Sequence, residues 1–280
     1  MSDRCRWVIF PFLIISFLLF SCQNHGEDRE AETLHSHKQL IGEEKRSWDK
    51  QEETSQKPNE WGEQVTGVYH RMATDEKVIA LTFDACGGPQ GDQYDEDLVE
   101  FLIENRIKAS LFINKRWAEQ NPEKTKELAD NPLFRIENHG TDHVPLSVSG
   151  QTAWGIQGTQ SEEEVLNEVG EAQKELTQLT GEPPVFFRSG TAYYDEVAVA
   201  IVEEAGLEVL GFDVAGDAGA TYSAEEVKKA LLDSRPGSIP LLHMNQPGSG
   251  TAEGVKKAVP KLLEEGYEFV HPHDYPLHRQ

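Results

Sequence analysis

Short apolar runs rich in β-branched and aromatic residues alternate with helical patterns over most of this 280-residue chain. The predicted strands cover residues 77–83, 109–113, 133–136, 185–188, 207–212, 239–243 and 267–270. The predicted helices cover residues 95–105, 117–130, 161–179, 196–205 and 253–265, and another begins at residue 223. Strands and helices that alternate in this way are typical of parallel βα units. The sequence therefore predicts an α/β fold, built either as a barrel or as a doubly wound sheet.

Polar side chains gather where these predicted strands end. The clusters are Thr82-Phe83-Asp84, Asn138-His139, Arg188-Ser189-Gly190, Asp213 with Asp217, and His243-Met244-Asn245. In βα folds, ligands bind outside the carboxyl ends of the strands. Five such clusters at one edge of the sheet would build a single site, so their order and residue types predict an enzyme.

His139 and His143 are four residues apart in the sequence. One turn of helix would direct both imidazole rings to the same side, where they could hold a divalent ion such as zinc. Histidine pairs at this spacing also occur on ordinary helix surfaces. The nearby carboxylate, arginine and third histidine, all expected at strand ends, favour the metal site.

Four short motifs follow one another along the chain and extend over residues 77–270. They are Leu81-Thr82-Phe83-Asp84, His139-Gly140-Thr141-Asp142-His143, Phe187-Arg188-Ser189-Gly190 and Leu242-His243. In this order they resemble the motifs of the polysaccharide deacetylases, the NodB-homology group or carbohydrate esterase family four. The resemblance implies a distorted (β/α) barrel of about seven repeats. It also implies a hydrolase that uses a divalent metal, for which we favour zinc, to remove N-acetyl groups from an amino-sugar polysaccharide.

The resemblance assigns a role to each matching residue. Asp84 matches the general base that takes a proton from the attacking water. His139 and His143 match the two metal-binding histidines, and Arg188 matches the arginine that orients the base. His243 matches the general acid that protonates the departing amine, which leaves poorly as an anion.

An aspartate behind His243 would keep that histidine protonated near neutral pH. Asp213 and Asp217 both follow the preceding predicted strand, and we favour Asp217 as the partner. An ordinary salt bridge is the alternative for either aspartate.

Two positions depart from the family pattern. The family normally has a second aspartate directly after the base, and that carboxylate is the third metal ligand, but this chain has Ala85 there. The third ligand would then be water, Asp84 itself, the Cys86 thiolate or a nearby acid such as Asp92. The second departure is Gly140, where the family usually has serine or threonine.

Other features carry less weight. Trp154, Tyr193 and Tyr194 could stack against sugar rings, although large aromatic side chains near a site are often core residues. The histidines of residues 271–278 are expected in a solvated terminus.

The first twenty-two residues have the pattern of an export signal. Arg4 and Arg6 precede an apolar stretch over residues 7–20, which is shorter than the roughly 20 residues that a membrane-spanning helix needs. The end of this stretch, Leu19-Phe20-Ser21-Cys22, resembles the bacterial lipobox, in which the cysteine becomes lipidated. An uncleaved anchor or an ordinary signal with a chance cysteine is the alternative.

Lipidation of Cys22 would tether the chain to a membrane without spanning it. We therefore expect a signal peptide over residues 1–21, a charged flexible tether over residues 22–66 and the deacetylase domain over residues 67–280. The predicted location is the bacterial cell envelope, as an exported, membrane-anchored lipoprotein.

The charge and the cysteines exclude other classes of protein. Lys and Arg total 26 against 49 Asp and Glu, and the net charge of -23 repels phosphate backbones, so no nucleic-acid partner is expected. The three cysteines are scattered, which excludes a zinc ribbon and a disulfide scaffold.

Three functions remain to be compared. The leading hypothesis is a metal-dependent hydrolase that deacetylates a glycan of the cell envelope or exterior. A catalytically impaired glycan-binding lipoprotein on the same fold is the main alternative, and a structural spacer is the third. Ala85 favours the alternatives, whereas Asp84 together with His243 favours the enzyme.

Overall fold

Seven parallel strands form the main sheet of the computed structural model, which describes residues 57–89 and 91–279. In chain order the strands are β1 (Tyr69–Met72), β2 (Val78–Ile79), β3 (Leu81–Ala85), β4 (Ala109–Ile113), β5 (Phe134–Asn138), β6 (Thr152–Ala153), β7 (Ile156–Gln157), β8 (Phe186–Phe187), β9 (Glu208–Val209), β10 (Val214–Ala215), β11 (Pro240–His243), β12 (Glu268–Phe269) and β13 (Leu277–Arg279). The main sheet has the order β10-β11-β3-β4-β5-β8-β9 and curls into a half-barrel. The predicted distorted (β/α) barrel is confirmed.

Three smaller pairings complete the strands of the described part. β1 pairs antiparallel with β13, β2 pairs parallel with β12, and β6 and β7 form an antiparallel hairpin. The helices are α1 (Glu96–Glu104), α2 (Lys115–Gln120), α3 (Pro122–Ala129), α4 (Glu162–Thr180), α5 (Glu196–Glu204), α6 (Ala224–Leu232) and α7 (Thr251–Glu264). The Ser161 side chain accepts from the Glu164 amide at the start of α4, and Ser223 and Glu226 form a complete capping box on α6.

One predicted helix is two helices in the structure. The sequence pattern predicted a single helix over residues 117–130, but α2 ends at Gln120 and α3 begins at Pro122. Proline has no amide hydrogen to donate, and it disfavours the helical conformation of the residue before it. Asn121 accordingly leaves the helical region, with φ -125° and ψ 49°, so the prediction was wrong at this point.

Strand β3 separates two environments, because successive side chains of a strand point to opposite faces. Phe83 and Ala85 are fully buried in the apolar cluster between the sheet and the helices, which also contains Trp117 of α2. Thr82 and Asp84 face the inside of the half-barrel, where the polar side chains of neighbouring strands meet them. This difference between the two faces decides which residues of the first motif can reach the site.

The carboxyl-terminal residues pack against the domain, contrary to the predicted solvated terminus. Strand β13 pairs with β1, and Tyr275 and Leu277 lie against the small apolar cluster that contains Met72. His271 retains only 5% of its surface exposed. The prediction was wrong because it weighed the charged and histidine residues of the tail and not these apolar contacts.

The folded region begins before residue 67, where we expected the domain to start. Gly62 and Tyr194 exchange two backbone hydrogen bonds, with N–O distances of 3.1 and 2.9 Å, and Val65 is 1% exposed. The sequence did not predict this earlier start, because a few isolated contacts of this kind produce no periodic pattern of apolar residues. The expected signal peptide, Cys22 and the tether up to residue 56 lie outside the described residues. Among the helices that the structure describes, none combines the length and the apolar character needed to cross a membrane.

Candidate active site

The polar residues predicted at strand ends meet at the carboxyl edge of the main sheet. Asp84 lies near the end of β3, His139 directly follows β5, Arg188 directly follows β8, and His243 ends β11. The loops that follow these or neighbouring strands supply His143, Asp217 and Cys86. The structure therefore brings together the residues that the sequence analysis selected.

Asp84 and Arg188 form a buried ion pair. The Arg188 Nη1 donates to Asp84 Oδ1 at 2.8 Å and to Thr82 Oγ1 at 2.9 Å. Its Nε and Nη2 donate to the backbone carbonyls of Leu210 and Gly211 at 3.0 and 2.9 Å. A buried charge pair is stable only when its remaining donors are satisfied, and here strand β3 and the segment after β9 satisfy them. The guanidinium thus fixes the orientation of the Asp84 carboxylate.

The surroundings of Asp84 keep it ionised. Burial alone would raise the pKa of this carboxyl group, but the charges of Arg188, His139 and His243 lower the pKa below its usual value. Oδ1 is engaged by Arg188, whereas Oδ2 lies 3.6 Å from His139 Nε2. Asp84 therefore offers one carboxylate oxygen to the site in a form that can accept a proton.

The two histidines of the second motif present free nitrogens. His139 Nδ1 lies 3.0 Å from the carbonyl oxygen of Arg188, and because a carbonyl only accepts, Nδ1 must donate; in the neutral ring Nε2 is then the nitrogen with a lone pair for a metal. The rings of His139 and His143 meet edge to face, with centroids 5.0 Å apart. His143 Nε2 is buried and has no hydrogen-bond partner among the described residues. A buried nitrogen without a partner is costly unless a ligand satisfies it.

A loop, and not the predicted turn of helix, brings the two rings together. β5 ends at Asn138, and Gly140 and His143 both adopt left-handed backbone conformations, with φ of 77° and 61°. The i,i+4 spacing was correct as an indicator of proximity, but the predicted conformation was wrong. The left-handed backbone depends on contacts with α4 that a local sequence pattern does not contain.

Glu168 of α4 supports this loop. Its carboxylate accepts hydrogen bonds from the amides of Asp142 and His143 at 2.8 and 3.1 Å, and burial raises its pKa to about 7. A Cβ at Gly140 would overlap this carboxylate, which explains the glycine where the family usually has serine or threonine. Sequence reasoning missed Glu168. The available signal was an acid on the otherwise apolar face of α4, beside Val165 and Val169.

His243 has a buried carboxylate behind it. Asp217 Oδ1 lies 2.9 Å from His243 Nδ1, and Thr251 Oγ1 and the His243 amide both donate to Asp217 Oδ2, at 2.9 and 2.7 Å. Burial alone would lower the pKa of His243, but Asp217 raises it well above the usual value. Asp213 instead accepts from Ser238 Oγ and the Ile239 amide, so Asp217 is the partner.

Cys86 adds a sulfur atom to the two histidine nitrogens. Its Sγ lies 3.8 Å from His139 Nε2, and the donor atoms of Cys86, His139 and His143 all lie within 4.8 Å of one another. In the described part of the chain this is the cluster of potential metal-binding side chains, and it includes neither Asp84 nor Asp92. Burial alone would raise the pKa of the thiol, but the charge of His143 and hydrogen bonds to the histidines lower the pKa well below its usual value.

These residues fit a divalent metal such as zinc. Two neutral imidazoles and a thiolate are ligands that zinc prefers, and a catalytic zinc usually has three protein ligands and one open position. The unpartnered His143 Nε2 and the lone pair on His139 Nε2 are the observations of this structure that support the fit.

Aromatic side chains border the site. Tyr193 contacts both Trp61 and Trp154, with ring centroids 5.8 Å apart in each pair. Tyr194 is fully buried and its hydroxyl accepts from the Ser189 amide at 3.1 Å, so it is a core residue and not a surface for sugars.

The fold and the site define an α/β protein in which an arginine-bound carboxylate and a carboxylate-bound histidine lie at the same edge as a potential metal site. A family profile described as polysaccharide deacetylase matches residues 71–210, which is half of the chain. The chain belongs to the polysaccharide deacetylase family. No curated protein matches the chain.

Solved structures of family 4 carbohydrate esterases share the fold. A pseudoenzyme of this family from Bacillus anthracis is 20% identical, with 76% of this chain and 69% of that chain covered and a TM-score of 0.63. A peptidoglycan N-acetylglucosamine deacetylase is 23% identical, covers 75% of this chain and 93% of its own, and has a TM-score of 0.64. PdaA from Bacillus subtilis is 21% identical, with coverages of 75% and 84% and a TM-score of 0.62.

Proposed function

We propose that the chain is a metal-dependent hydrolase that removes N-acetyl groups from an amino-sugar polysaccharide of the cell envelope or exterior. The observation that carries this proposal is the placement of two differently tuned groups at one edge of the sheet. Asp84 is held ionised by Arg188, and His243 is held protonated by Asp217, next to the pair His139 and His143. Amide hydrolysis needs a base and an acid in these two states.

His139 and His143 would hold the metal through their Nε2 atoms. A bound divalent metal would lower the pKa of water and polarise the acetamide carbonyl. The protein's own contribution begins with Arg188, which leaves one Asp84 oxygen free to accept a proton from the attacking water.

His243 would complete the reaction. The water oxygen forms a bond to the carbonyl carbon, the carbon–nitrogen bond breaks, and acetate and a free amine leave. The amine nitrogen takes its proton from His243 Nε2, while Nδ1 remains bonded to Asp217. One proton is accepted by Asp84 and one is donated by His243, so the catalytic residues return to their starting states after proton exchange with solvent.

The substrate class is inferred from the family and from charge. One structural neighbour is described as a peptidoglycan N-acetylglucosamine deacetylase and another as a deacetylase with substrate, which supports an N-acetylated glycan. The net charge of -23 argues against polyphosphate partners such as nucleic acids. The lipobox-like sequence that ends at Cys22 supports an exported protein, anchored to a membrane by lipid through a tether.

A glycan-binding protein without hydrolysis is the second candidate. Ala85 stands where the family has its third metal ligand, and a structural neighbour is described as a pseudoenzyme of the same family. Such a protein would bind the glycan but would not hydrolyse it.

Acetate release from an N-acetylglucosamine hexamer tests the proposal. With zinc present, the wild-type chain should release acetate at least about 100-fold faster than Asp84→Asn, which keeps the shape of the base and removes its ability to accept a proton. Hexamer binding without acetate release, with zinc, cobalt or manganese, would establish the glycan-binding candidate instead.

Membrane anchoring is tested separately. Cys22→Ala should move the chain from the membrane fraction to the soluble or uncleaved pool. Unchanged membrane association with a normally processed amino terminus would refute the lipid anchor and would leave the catalytic proposal intact.

A further inference from the structure

The position of the family's third ligand faces away from the metal site in this chain. Ala85 is fully buried in the apolar cluster outside the half-barrel, together with Ile113 and Trp117. A carboxylate at position 85 would enter this cluster and would not approach His139 or His143. In this chain, the side chain at position 85 therefore packs in the apolar core and is not available as a metal ligand.

The next residue returns to the inside of the half-barrel. Side chains alternate along β3, so Cys86 continues the face of Thr82 and Asp84 just beyond the end of the strand. Its sulfur lies 3.8 Å from His139 Nε2 and within 4.8 Å of the nearest His143 nitrogen. Arg116 Nη2 donates to the Cys86 carbonyl at 3.4 Å, which ties this residue to α2.

We propose that the Cys86 thiolate replaces the aspartate of the family as the third metal ligand. This inference deepens the proposed function and rests on it. Two imidazoles, one thiolate and an open position form a ligand set of the catalytic zinc type. A thiolate in place of a carboxylate also shifts the preference towards zinc and away from magnesium or calcium.

Cobalt(II) provides the direct test, because a cobalt–thiolate bond gives an intense near-ultraviolet charge-transfer band that imidazole and carboxylate ligands do not give. The full-length wild type with cobalt should show this band, and Cys86→Ser should lose it. Its metal affinity should also fall by more than the roughly 10–100-fold that loss of an outer-shell partner costs. Cys22→Ser is the matched control, and it should keep both the band and the affinity.

Two carboxylate variants sharpen the test. Cys86→Asp should bind cobalt without the band and should recover most of the affinity that Cys86→Ser loses, because position 86 faces the histidines. Ala85→Asp should recover no affinity in the Cys86→Ser background, because position 85 faces the apolar cluster. Absence of the band in the wild type, or equal metal affinity of the wild type and Cys86→Ser, would overturn the inference. Both readouts are independent of acetate release, so an inactive protein can still confirm the ligand.

A second inference comes from the aromatic residues beside the site. Trp154 lies at the tip of the β6–β7 hairpin and is 74% exposed. Trp154 and Gly155 both have positive φ, 54° and 79°, as in a two-residue type I′ turn. Such turns favour asparagine, aspartate or glycine at the first position, and a bulky residue there is strained. A tryptophan that is mostly exposed and held in a strained turn is unfavourable for folding apart from its contact with Tyr193, which suggests a binding role.

The hairpin is fixed next to the catalytic edge. It belongs to the loop that follows β5, and the Thr159 amide donates to the Pro145 carbonyl at 3.1 Å, two residues after His143. The Leu146 amide donates to the Tyr193 carbonyl at 3.0 Å, which joins this loop to the loop after β8. Trp154, Tyr193 and Trp61 therefore form a row of rings on a backbone that hydrogen bonds hold in place.

We infer that this row is a stacking subsite for a pyranose ring of the glycan, beside the unit that is deacetylated. Aromatic faces carry partial negative charge and attract the C–H groups on the apolar face of a sugar. The high negative charge of the chain disfavours anionic lipid as the occupant. This inference rests on the proposed function for the identity of the glycan.

Trp154→Asn is the test variant, because asparagine suits the turn and leaves the hairpin folded. Its KM for the N-acetylglucosamine hexamer should rise about tenfold, which corresponds to about 1.4 kcal/mol, while kcat and the KM for the dimer stay unchanged. Trp154→Phe, which keeps a ring, should give a smaller rise. Hexamer binding, followed by isothermal titration calorimetry, gives the same comparison without turnover and separates this inference from the proposed activity. Equal hexamer affinity of the wild type and Trp154→Asn would overturn the inference. It would also be overturned if Trp154→Asn bound anionic vesicles less well than the wild type but bound the hexamer equally well.

Discussion

Buried histidines lie at both edges of the main sheet, and their surroundings shift their pKa values in opposite directions. At the carboxyl edge, Asp217 contacts His243 and raises its pKa well above the usual value, although burial alone would lower it. Near the amino ends of the strands, His271 is more deeply buried than His243, and burial and the neighbouring His273 lower its pKa to about 4. A carboxylate in direct contact makes the difference between a histidine that carries a proton at neutral pH and one that does not.

His139 also lies beside a carboxylate, and a metal bound at its Nε2 would take the place of a proton there. Burial would lower the pKa of His139, but Asp84, 3.6 Å away, raises it. His139 and His243 thus each face an acid from another strand or loop, whereas His271 makes no comparable contact with a buried carboxylate in the described part. A neighbouring buried carboxylate, and not burial alone, therefore distinguishes His139 and His243 of the candidate site from His271.

The largest effect is expected when the acid–base pairing at the carboxyl edge is broken. His243→Gln should reduce kcat for acetate release by about 10²–10⁴-fold, because the departing amine loses its proton donor. Asp217→Asn should give a smaller reduction and should move the pH dependence of kcat to lower pH, because His243 would then release its proton more easily. Steady-state rates on the N-acetylglucosamine hexamer over a range of pH measure both effects. Full activity in His243→Gln would show that this histidine is not the acid.

Breaking the ion pair between Arg188 and Asp84 should lower the free energy of unfolding. Arg188→Met leaves the Asp84 carboxylate buried without its partner and should cost about 3–5 kcal/mol in urea unfolding. The double variant Arg188→Met with Asp84→Leu removes both charges and should be more stable than Arg188→Met alone. Equal stability of the single and double variants would mean that the ion pair contributes little to the fold.

The smallest effect is expected at His271, near the amino ends of the strands. The direction of its effect on stability follows from the lowered pKa of this histidine. Below about pH 6.5 the unfolded chain binds a proton at this histidine, whereas the folded chain does not until about pH 4. Above pH 6.5 the protonation of His271 therefore does not reduce the free energy of unfolding. As the pH falls to 4, the free energy of unfolding decreases by up to about 3 kcal/mol.

His271→Phe should reduce this acid sensitivity, as measured by urea unfolding at several pH values. His278→Gln, at an exposed position, is the control and should follow the wild type. Identical pH profiles of the wild type and His271→Phe would contradict the assignment.

The sequence predicted those parts of the fold and site that depend on local pattern. The alternation of strands and helices identified the βα architecture, and polar residues at strand ends identified Asp84, His139, Arg188 and His243 before any geometry was known. The structure confirms the fold and the meeting of these side chains at one edge, because strand direction alone brings such residues together, while their catalytic roles stay a prediction.

Features that depend on tertiary contacts were beyond the sequence. The left-handed conformation at His143 requires the buried carboxylate of Glu168. The sequence favoured Asp217 over Asp213, but only the contact with His243 distinguishes the two. The sequence likewise left water, Asp84, Cys86 and Asp92 open as the third ligand, and among them it could not choose between Cys86 and Asp92. The tertiary structure separates them, because it places the Cys86 sulfur and not the Asp92 carboxylate beside the two histidines.

The most direct test is anomalous diffraction from crystals of the full-length chain soaked with zinc. We expect one strong zinc peak bonded to His139 Nε2, His143 Nε2 and Cys86 Sγ, at about 2.0–2.1 Å from the nitrogens and about 2.3 Å from the sulfur. Absence of a peak at these residues, or a peak held by other side chains, would contradict the metal site on which the proposed deacetylase activity depends.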